Sequence, residues 1–181
     1  MSLLTIYPDA RPDAPLGTFT EADAIRRELG AIGVRFERVN AFIPLPDGAS
    51  QEDVLAAYKH VVDAEKAKHG FNTVDVARIK PDAPNAAQAR LKFLSEHTHT
   101  ENESRVMVEG SGCFFLRAGD RVYQVVCIRG DLISVPEGMR HWFDMGPRPA
   151  FAAIRFFTRP DGWVGHFTGD AIADRFPRYE T

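Results

Sequence analysis

Residues 96–110 read EHTHTENESRVMVEG, and this stretch contributes most to the prediction of the fold. His97 and His99 are two positions apart, so on a β-strand both imidazoles leave from the same face. Glu103 has the same parity if the strand continues. Buried together without a metal, two imidazoles and a carboxylate would leave four ring nitrogens and a charge to be satisfied. The pattern therefore favours a metal site over a structural core.

A second stretch, residues 130–143, reads GDLISVPEGMRHWF. In it a Pro-x-Gly turn follows a predicted strand and directs His141. Either stretch alone has an ordinary alternative, because an HxH pair is often solvated and His141 beside Trp142 and Phe143 is often a packed histidine. Three imidazoles and a carboxylate together suit Fe²⁺, Ni²⁺, Mn²⁺, Co²⁺ or Zn²⁺. We therefore predict one divalent transition metal, held by His97, His99, Glu103 and His141.

The order and spacing of the two stretches resemble the two motifs of the cupin superfamily: HxHxxxE followed by a glycine, then GxxxxxPxGxxH. Leu91 and Met145 depart from the motifs, which usually have glycine and asparagine there, but neither is a ligand position. From residue 95 onward, short strand-like runs alternate with glycine-bearing turns, which is typical of a closed sandwich or barrel. The expected fold is mainly β: a cupin double-stranded β-helix (jelly-roll barrel) with several flanking α-helices.

The length of 181 residues suits one domain with a sizeable core. We expect a single cupin domain over residues 1–181, with 1–94 as a mixed α/β flanking part and 95–160 as the barrel core. In the flanking part, Ser50 is a predicted N-cap, and Gly70 ends the longer helix that follows it.

Composition excludes some classes of partner. The net charge of −3 provides no basic surface for nucleic acid or an anionic membrane. The N-terminus lacks a basic start followed by a long apolar run, and no apolar run approaches the roughly 18 residues that span a bilayer. We therefore expect a cytoplasmic protein. Cys113 and Cys127 lie in apolar, strand-like stretches, which favours buried reduced thiols; a disulfide between them remains an alternative.

Longer stretches resemble the acireductone dioxygenase family of methionine salvage: FLSEHTH, EHTHTENESRVMVEGSG, GDRVYQVVCIRGDLISVPEGMRHWFDMG and IRFFTRPDGWVGHFTGD. The resemblance covers most of residues 90–170 closely. It implies that the substrates are acireductone (1,2-dihydroxy-3-keto-5-methylthiopentene) and dioxygen. With Fe²⁺ the family gives formate and 4-methylthio-2-oxobutanoate; with Ni²⁺ it gives formate, carbon monoxide and 3-methylthiopropionate. It also implies a monomer.

The resemblance further implies that Arg105 and Arg155 bind the substrate anion, and that three aromatic residues line the pocket: Phe93, Phe143 and Trp163. Arg105 shares the parity of the ligands. Arg155 lies in the apolar run AAIRFF, where an arginine is costly unless it faces a polar pocket. The alternatives are that Arg105 pairs on the surface with Glu101 or Glu109, and that the aromatics are plain core.

Four protein ligands on an octahedral metal leave two adjacent positions, which a deprotonated enediol can chelate. The sequence contains no GxSxG nucleophile motif and no phosphate-binding glycine loop, and this chemistry needs neither. Two other functions stay open from the sequence. One is another small metal-dependent cupin dioxygenase or isomerase, and the other is a non-catalytic cupin that binds a small molecule.

Overall fold

The structure, a computed structural model, describes residues 1–180 and is mainly β. Within this range it contains eleven strands: β1 (Leu3–Pro8), β2 (Gly17–Phe19), β3 (Arg35–Arg38), β4 (Thr73–Ile79), β5 (His97–Thr98), β6 (Glu103–Ala118), β7 (Arg121–Ile128), β8 (Asp131–Val135), β9 (Arg140–Asp144), β10 (Phe151–Phe157) and β11 (His166–Phe167). The helices are α1 (Ala22–Gly30), α2 (Gln51–Ala57), α3 (Lys59–His69) and α4 (Ala86–Phe93), with a 3₁₀ helix at Ala171–Arg175.

Strand β6 belongs to two antiparallel sheets. Its first half pairs with β8 and β10, and its second half pairs with β7 and β9. The first sheet has the order β11-β5-β9-β6-β7-β1-β2, and the second has the order β4-β10-β6-β8-β3. Buried side chains of both sheets form one apolar core, so the sheets enclose a barrel interior. The prediction of a mainly β barrel with flanking helices is confirmed.

The crossing of β6 between the sheets is at Gly110. Its φ is +61°, and a Cβ added there would lie 1.7 Å from the carbonyl oxygen of Ala150. Only glycine fits such a close approach of two backbones. On the partner strand the register shifts between Ala152 and Ala153, which marks a β-bulge at the same level.

Two further apolar clusters lie outside the barrel. Helices α2 and α3 pack against the outer face of the second sheet, where Tyr58 contacts a surface that includes Val106 and Ile154. The C-terminal segment packs Ile172 and Phe176 on the outer face of the first sheet. Helices and chain ends therefore cover both sheets without blocking the barrel mouth.

The longer helix predicted between Ser50 and Gly70 is two helices. Ser50 is the N-cap in a capping box with Asp53, and Gly70 ends α3 in the left-handed conformation, as predicted. Tyr58 interrupts the helix with φ −99° and ψ 19°. Its hydroxyl donates to the carbonyl oxygens of Ala41 and Ile43, a tertiary contact that helical periodicity does not reveal.

Cys113 and Cys127 are both buried free thiols, and burial raises the pKa of each well above its ordinary value. Within residues 1–180, every helix is too short or too polar to cross a membrane.

Candidate metal centre

The predicted ligands meet at one mouth of the barrel. His97 on β5 pairs directly with His141 on β9, and Glu103 is the first residue of β6. His99 lies between β5 and β6, where its carbonyl oxygen accepts from the backbone N–H of Gly138 in the Pro-x-Gly turn. One nitrogen of each imidazole lies within 4.8 Å of the corresponding nitrogens of the other two.

Backbone carbonyl groups orient all three histidines. The Nδ1 atoms lie 2.8 to 2.9 Å from three carbonyl oxygens, with His97 on Ser95, His141 on Met139 and His99 on Val164. Because a carbonyl oxygen only accepts, each Nδ1 carries the hydrogen and each Nε2 keeps its lone pair. This support of the distal ring nitrogen is the usual one for histidines that bind metals.

Glu103 completes the set of donor atoms. Its Oε2 lies 3.3 Å from Nε2 of His141, and its Oε1 lies 3.7 Å from Nε2 of His99. Three buried atoms of this group have no hydrogen-bond partner: Nε2 of His99, Nε2 of His141 and Oε2 of Glu103. Buried polar atoms without a partner are costly, so three that converge on one point fit a bound cation. Imidazole nitrogens with one carboxylate oxygen suit a divalent transition metal.

The protonation states also fit a cation. Burial, together with the neighbouring His141, lowers the pKa of His97 to about 4. Burial likewise lowers the pKa of His99. For Glu103, burial alone would raise the pKa, but the Arg105 guanidinium and the adjacent His141 imidazole hold it well below its ordinary value. At neutral pH the site therefore offers neutral imidazoles at His97 and His99, together with an ionised carboxylate.

Arg105 supports the carboxylate of Glu103. Its Nε donates to Oε1 at 3.0 Å and its Nη2 donates to the same oxygen, which leaves Oε2 free. The guanidinium carbon lies 5.1 Å from the ring centre of Phe114 and 5.0 Å from that of Phe143. The side chain is therefore buried and stacked, in the environment that suits an arginine ion pair.

Arg105 does not form either alternative surface pair. Glu109 pairs instead with Arg78 at 2.9 Å, and Glu101 accepts hydrogen bonds from Thr158. The surface alternative is therefore wrong.

Arg155 lies beside Arg105 in the register of β10 and β6, and opposite Asp75 of β4. Its Nε and Nη2 donate to the two carboxylate oxygens of Asp75 at 2.8 and 2.7 Å. Both arginines line the same cavity. The row Asp75–Arg155–Arg105 thus brings two guanidinium groups to the cavity wall, and Asp75 pairs with Arg155 from outside the lining.

The cavity above the histidines has a volume of about 360 Å³. Phe93 and Trp163 line it, and Trp163 stands at the mouth with 48% of its surface exposed. The full lining is Lys92, Phe93, His97, His99, Arg105, Arg155, Trp163, Val164, Gly165 and Phe167.

Phe143, the third aromatic that the resemblance implies for the pocket, lies below the cavity in the barrel core. It follows His141 by two residues on β9, so its ring faces the same interior about 7 Å deeper. There it packs on Phe114 and against the backbone of Gly112, where an added Cβ would lie 2.3 Å from the ring. Arg105, which stacks on this ring, lines the cavity, whereas Phe143 does not.

Some cavity residues were missed from the sequence. Lys92, Val164, Gly165 and Phe167 line the cavity, but the sequence analysis assigned none of them to the site. The run GWVGHF, residues 162–167, could have indicated a functional loop. Apolar residues between glycines just after a strand are typical of such loops. His166 in this run is exposed.

Comparisons with known proteins agree with this geometry. The model of the ARD/ARD′ family matches residues 4–165. A protein of Stenotrophomonas maltophilia (strain K279a), named acireductone dioxygenase, is 56% identical over 179 residues, which cover 99% of this chain and 97% of that protein. A protein of the same name from Xylella fastidiosa (strain 9a5c) is 52% identical over 179 residues, 99% of this chain and 95% of that protein.

A solved structure is similar as well. It is described as acireductone dioxygenase from Bacillus anthracis with a cadmium ion in the active centre. Its TM-score is 0.81 at 27% identity, and the match covers 92% of this chain and 98% of that chain. The cupin fold expected from the sequence is thereby confirmed. From its motifs, fold and relatives, the chain belongs to the ARD/ARD′ family, the acireductone dioxygenases.

Proposed function

We propose that this protein is a metal-dependent dioxygenase that cleaves acireductone, 1,2-dihydroxy-3-keto-5-methylthiopentene, with dioxygen in methionine salvage. The observation that carries the proposal is the convergence of unpartnered imidazole nitrogens and a carboxylate oxygen beside an open, arginine-bearing cavity that His97 and His99 line. Relatives at 52 to 56% identity that bear this name support the choice of substrate.

The metal ligands in this proposal are His97, His99, Glu103 and His141. A bound divalent metal would supply Lewis-acid and template chemistry for the two enediol oxygens. The proposed ion is Fe²⁺ or Ni²⁺, since the donor set accepts either. The Fe²⁺ form would give formate and 4-methylthio-2-oxobutanoate. The Ni²⁺ form would give formate, carbon monoxide and 3-methylthiopropionate.

Arg155 and Arg105 hold the substrate anion in this proposal. A deprotonated enediol needs fixed positive charge, and both guanidinium groups reach the cavity from one wall. Arg155 is held in place by Asp75, and Arg105 by Glu103. The enediolate is electron-rich, so dioxygen attacks the substrate itself and no nucleophilic side chain takes part.

The apolar side of the cavity would take the methylthio tail. Phe93 and Trp163 provide aromatic contacts, which sulfur makes favourably. A cavity of about 360 Å³ is at the small end of ligand sites, as a small metabolite requires. The loop that carries Val164 and Gly165 packs against His97 and His99 on the other side.

Rapid mixing tests the proposal. Protein loaded anaerobically with Fe²⁺ is mixed with acireductone, and oxygen is then added while substrate, formate and keto acid are measured. We expect oxygen-dependent loss of substrate with one formate per acireductone. His141→Ala should abolish turnover, whereas His166→Ala, at an exposed histidine outside the ligand set, should keep it. Absence of formate from the loaded protein would refute the proposal, and carbon monoxide measured with Ni²⁺ tests the second product set.

We further propose that residues 1–181 form one catalytic domain and act as a cytoplasmic monomer, with no macromolecular partner. Light scattering after size-exclusion chromatography tests the monomer, and a dimer mass would contradict it.

A further inference from the structure

The segment between β10 and β11, residues 158–165, forms one wall of the cavity; we call it the pocket loop. Trp163, Val164 and Gly165 in it line the cavity. The carbonyl oxygen of Val164 accepts from Nδ1 of His99 at 2.9 Å, and a Cβ on Gly165 would lie 3.2 Å from Cδ2 of His97. The position of this loop therefore affects two ligand imidazoles directly.

A buried carboxylate that the proposed chemistry does not use fixes the start of the pocket loop. Glu101 is 7% exposed and lies in the segment between His99 and Glu103. Its Oε2 accepts from the backbone N–H of Thr158 at 2.6 Å and from the Thr158 hydroxyl, and its Oε1 accepts from the N–H of Arg159 at 3.2 Å. One side chain thus satisfies three donors of the loop.

Gly162 shows that the loop wraps around this carboxylate. A Cβ added to Gly162 would lie 1.7 Å from Oε1 of Glu101 and 3.0 Å from the ring of Phe157. The φ of Gly162 is not in the left-handed region, so the space taken by Glu101 is what requires glycine here. Because residue 162 directly precedes Trp163, the contact with Glu101 also restricts the position of Trp163 in the cavity wall.

The remaining hydrogen bonds of the pocket loop are weaker attachments. On the exposed surface, Arg159 donates to Thr100, and the side-chain amide of Asn72 donates to the carbonyl oxygen of Thr158 at 3.3 Å. The N–H groups of Gly162 and Val164 bond to carbonyl oxygens within the loop itself. Apart from the Val164 contact with His99, Glu101 is the buried side chain that ties the described loop to the ligand-bearing segment.

We propose that Glu101 is a positioning residue for the metal centre: it fixes the pocket loop, and through Val164 and Trp163 it orients His99 and sets the cavity wall. Only the kinetic assay, which uses acireductone, rests on the proposed function. The positioning role of Glu101 does not depend on the substrate. A purely local structural role predicts lower stability alone, whereas a positioning role also predicts weaker metal binding and a more exposed Trp163.

Three variants release the loop by different routes. Glu101→Gln keeps the size but places an NH₂ group against the N–H of Thr158 or Arg159, since an amide has only one acceptor oxygen. Gly162→Ala pushes the loop off the carboxylate. Thr158→Val removes only one hydroxyl donor. The matched control is Asp131→Asn, a buried carboxylate that accepts from Ser2, Arg38 and Ile128 and contacts no residue of the cavity lining.

Two readouts are independent of catalysis. Affinity for Ni²⁺ is measured by competition with a chromophoric chelator. Acrylamide quenching of tryptophan fluorescence reports on Trp163, because Trp142 is buried under Phe115. For Glu101→Gln and Gly162→Ala we expect affinity to fall about 10-fold, as for other supports of metal ligands. We also expect quenching to increase and KM to rise more than kcat falls. Asp131→Asn should lower the melting temperature only.

Each outcome decides the question. Glu101→Gln with wild-type affinity and quenching would overturn the proposal, as would losses that Asp131→Asn reproduces. If Glu101→Gln and Gly162→Ala both fail to fold, Thr158→Val must show smaller changes of the same kind in Ni²⁺ affinity and acrylamide quenching. Wild-type values for Thr158→Val would then overturn the proposal. Gly162→Ala added to Glu101→Ala should cost much less than Gly162→Ala alone, because the truncated side chain leaves only the 3.0 Å approach to Phe157. If the wild type does not consume acireductone, the proposed function fails while the two non-catalytic readouts still decide the role of Glu101.

Discussion

Replacing Gly110 by alanine tests how β6 crosses from one sheet to the other. Gly110 and Gly119 both have φ of +61°, so an alanine at either position carries the same left-handed strain, about 1–2 kcal/mol. The two sites differ in space. A Cβ at residue 119 meets nothing within 4 Å, whereas a Cβ at residue 110 meets the oxygen of Ala150 at 1.7 Å. Gly119→Ala is therefore a matched control for strain alone.

The additional cost at Gly110 follows from that distance. The oxygen of Ala150 would have to retreat by about 1.3 Å to reach the 3.0 Å that real Cβ contacts respect. Such a shift at the start of β10 disrupts the pairing of Phe151 and Ala152 with β6. Losing two ladder hydrogen bonds, at about 1 kcal/mol each plus the penalty for a buried polar group without a partner, adds about 3 kcal/mol. We expect the free energy of unfolding to fall by about 4–5 kcal/mol in Gly110→Ala and by about 1–2 kcal/mol in Gly119→Ala.

Urea denaturation of the metal-free variants measures the difference in free energy of unfolding between Gly110→Ala and Gly119→Ala. The metal content of each variant measures the effect of the substitution on the metal site. Glu103 precedes the crossing, while Leu116, which pairs with His141, follows it. A distorted crossing therefore changes the 3.3 Å approach of Glu103 to His141, and Gly110→Ala should also bind less metal. Equal losses of stability in Gly110→Ala and Gly119→Ala would refute this account of the crossing.

Three other predictions concern the site. His141→Ala should leave the circular dichroism spectrum unchanged but retain less than about a tenth of the metal, measured by elemental analysis of the purified protein; full occupancy would remove His141 from the ligand set. Arg155→Met should keep the metal and raise KM about 10-fold or more, because it removes a charge-assisted contact with the anion; an unchanged KM would contradict the assignment. Phe143→Leu should lower the free energy of unfolding by about 1–2 kcal/mol with little change in KM, whereas Trp163→Ala should raise KM with little change in stability. Denaturation and steady-state kinetics measure the two effects, and the opposite pattern would show that Phe143 lines the cavity.

Local pattern was sufficient to predict the barrel and the convergence of the four proposed ligands. The HxHxxxE spacing gives His97, His99 and Glu103 one parity along an extended chain, and the Pro-x-Gly turn delivers His141 to the same mouth. The strand is interrupted at residues 99–102, yet the three side chains still converge. Side-chain alternation on a strand is a local property, so it can be read without knowing which strands pair. The capping box at Ser50 was predictable for the same reason.

Features that depend on tertiary contacts were not predictable. The break at Tyr58 arises from its hydroxyl bonding to the loop at Ala41 and Ile43, which helical periodicity does not encode. Phe143 has the right parity for the cavity, but depth along the barrel separates it from the mouth, and depth requires the register of β9 on β6. Glu101 gave no signal, because its partners are more than fifty residues away in sequence.

The carbonyl groups that orient the three histidines have a consequence for mutational tolerance. Any amino acid at positions 95, 139 and 164 supplies the same backbone carbonyl acceptor. Substitutions there should therefore leave the tautomers of His97, His141 and His99 unchanged. Two of these acceptors are two residues before the histidine they serve, and only that of His99 comes from a distant segment. Substitutions that change metal affinity are therefore expected at the Glu103–Arg105 pair and at Glu101, which fixes the pocket loop. At these positions side chains, not main-chain carbonyl groups, hold the site in place.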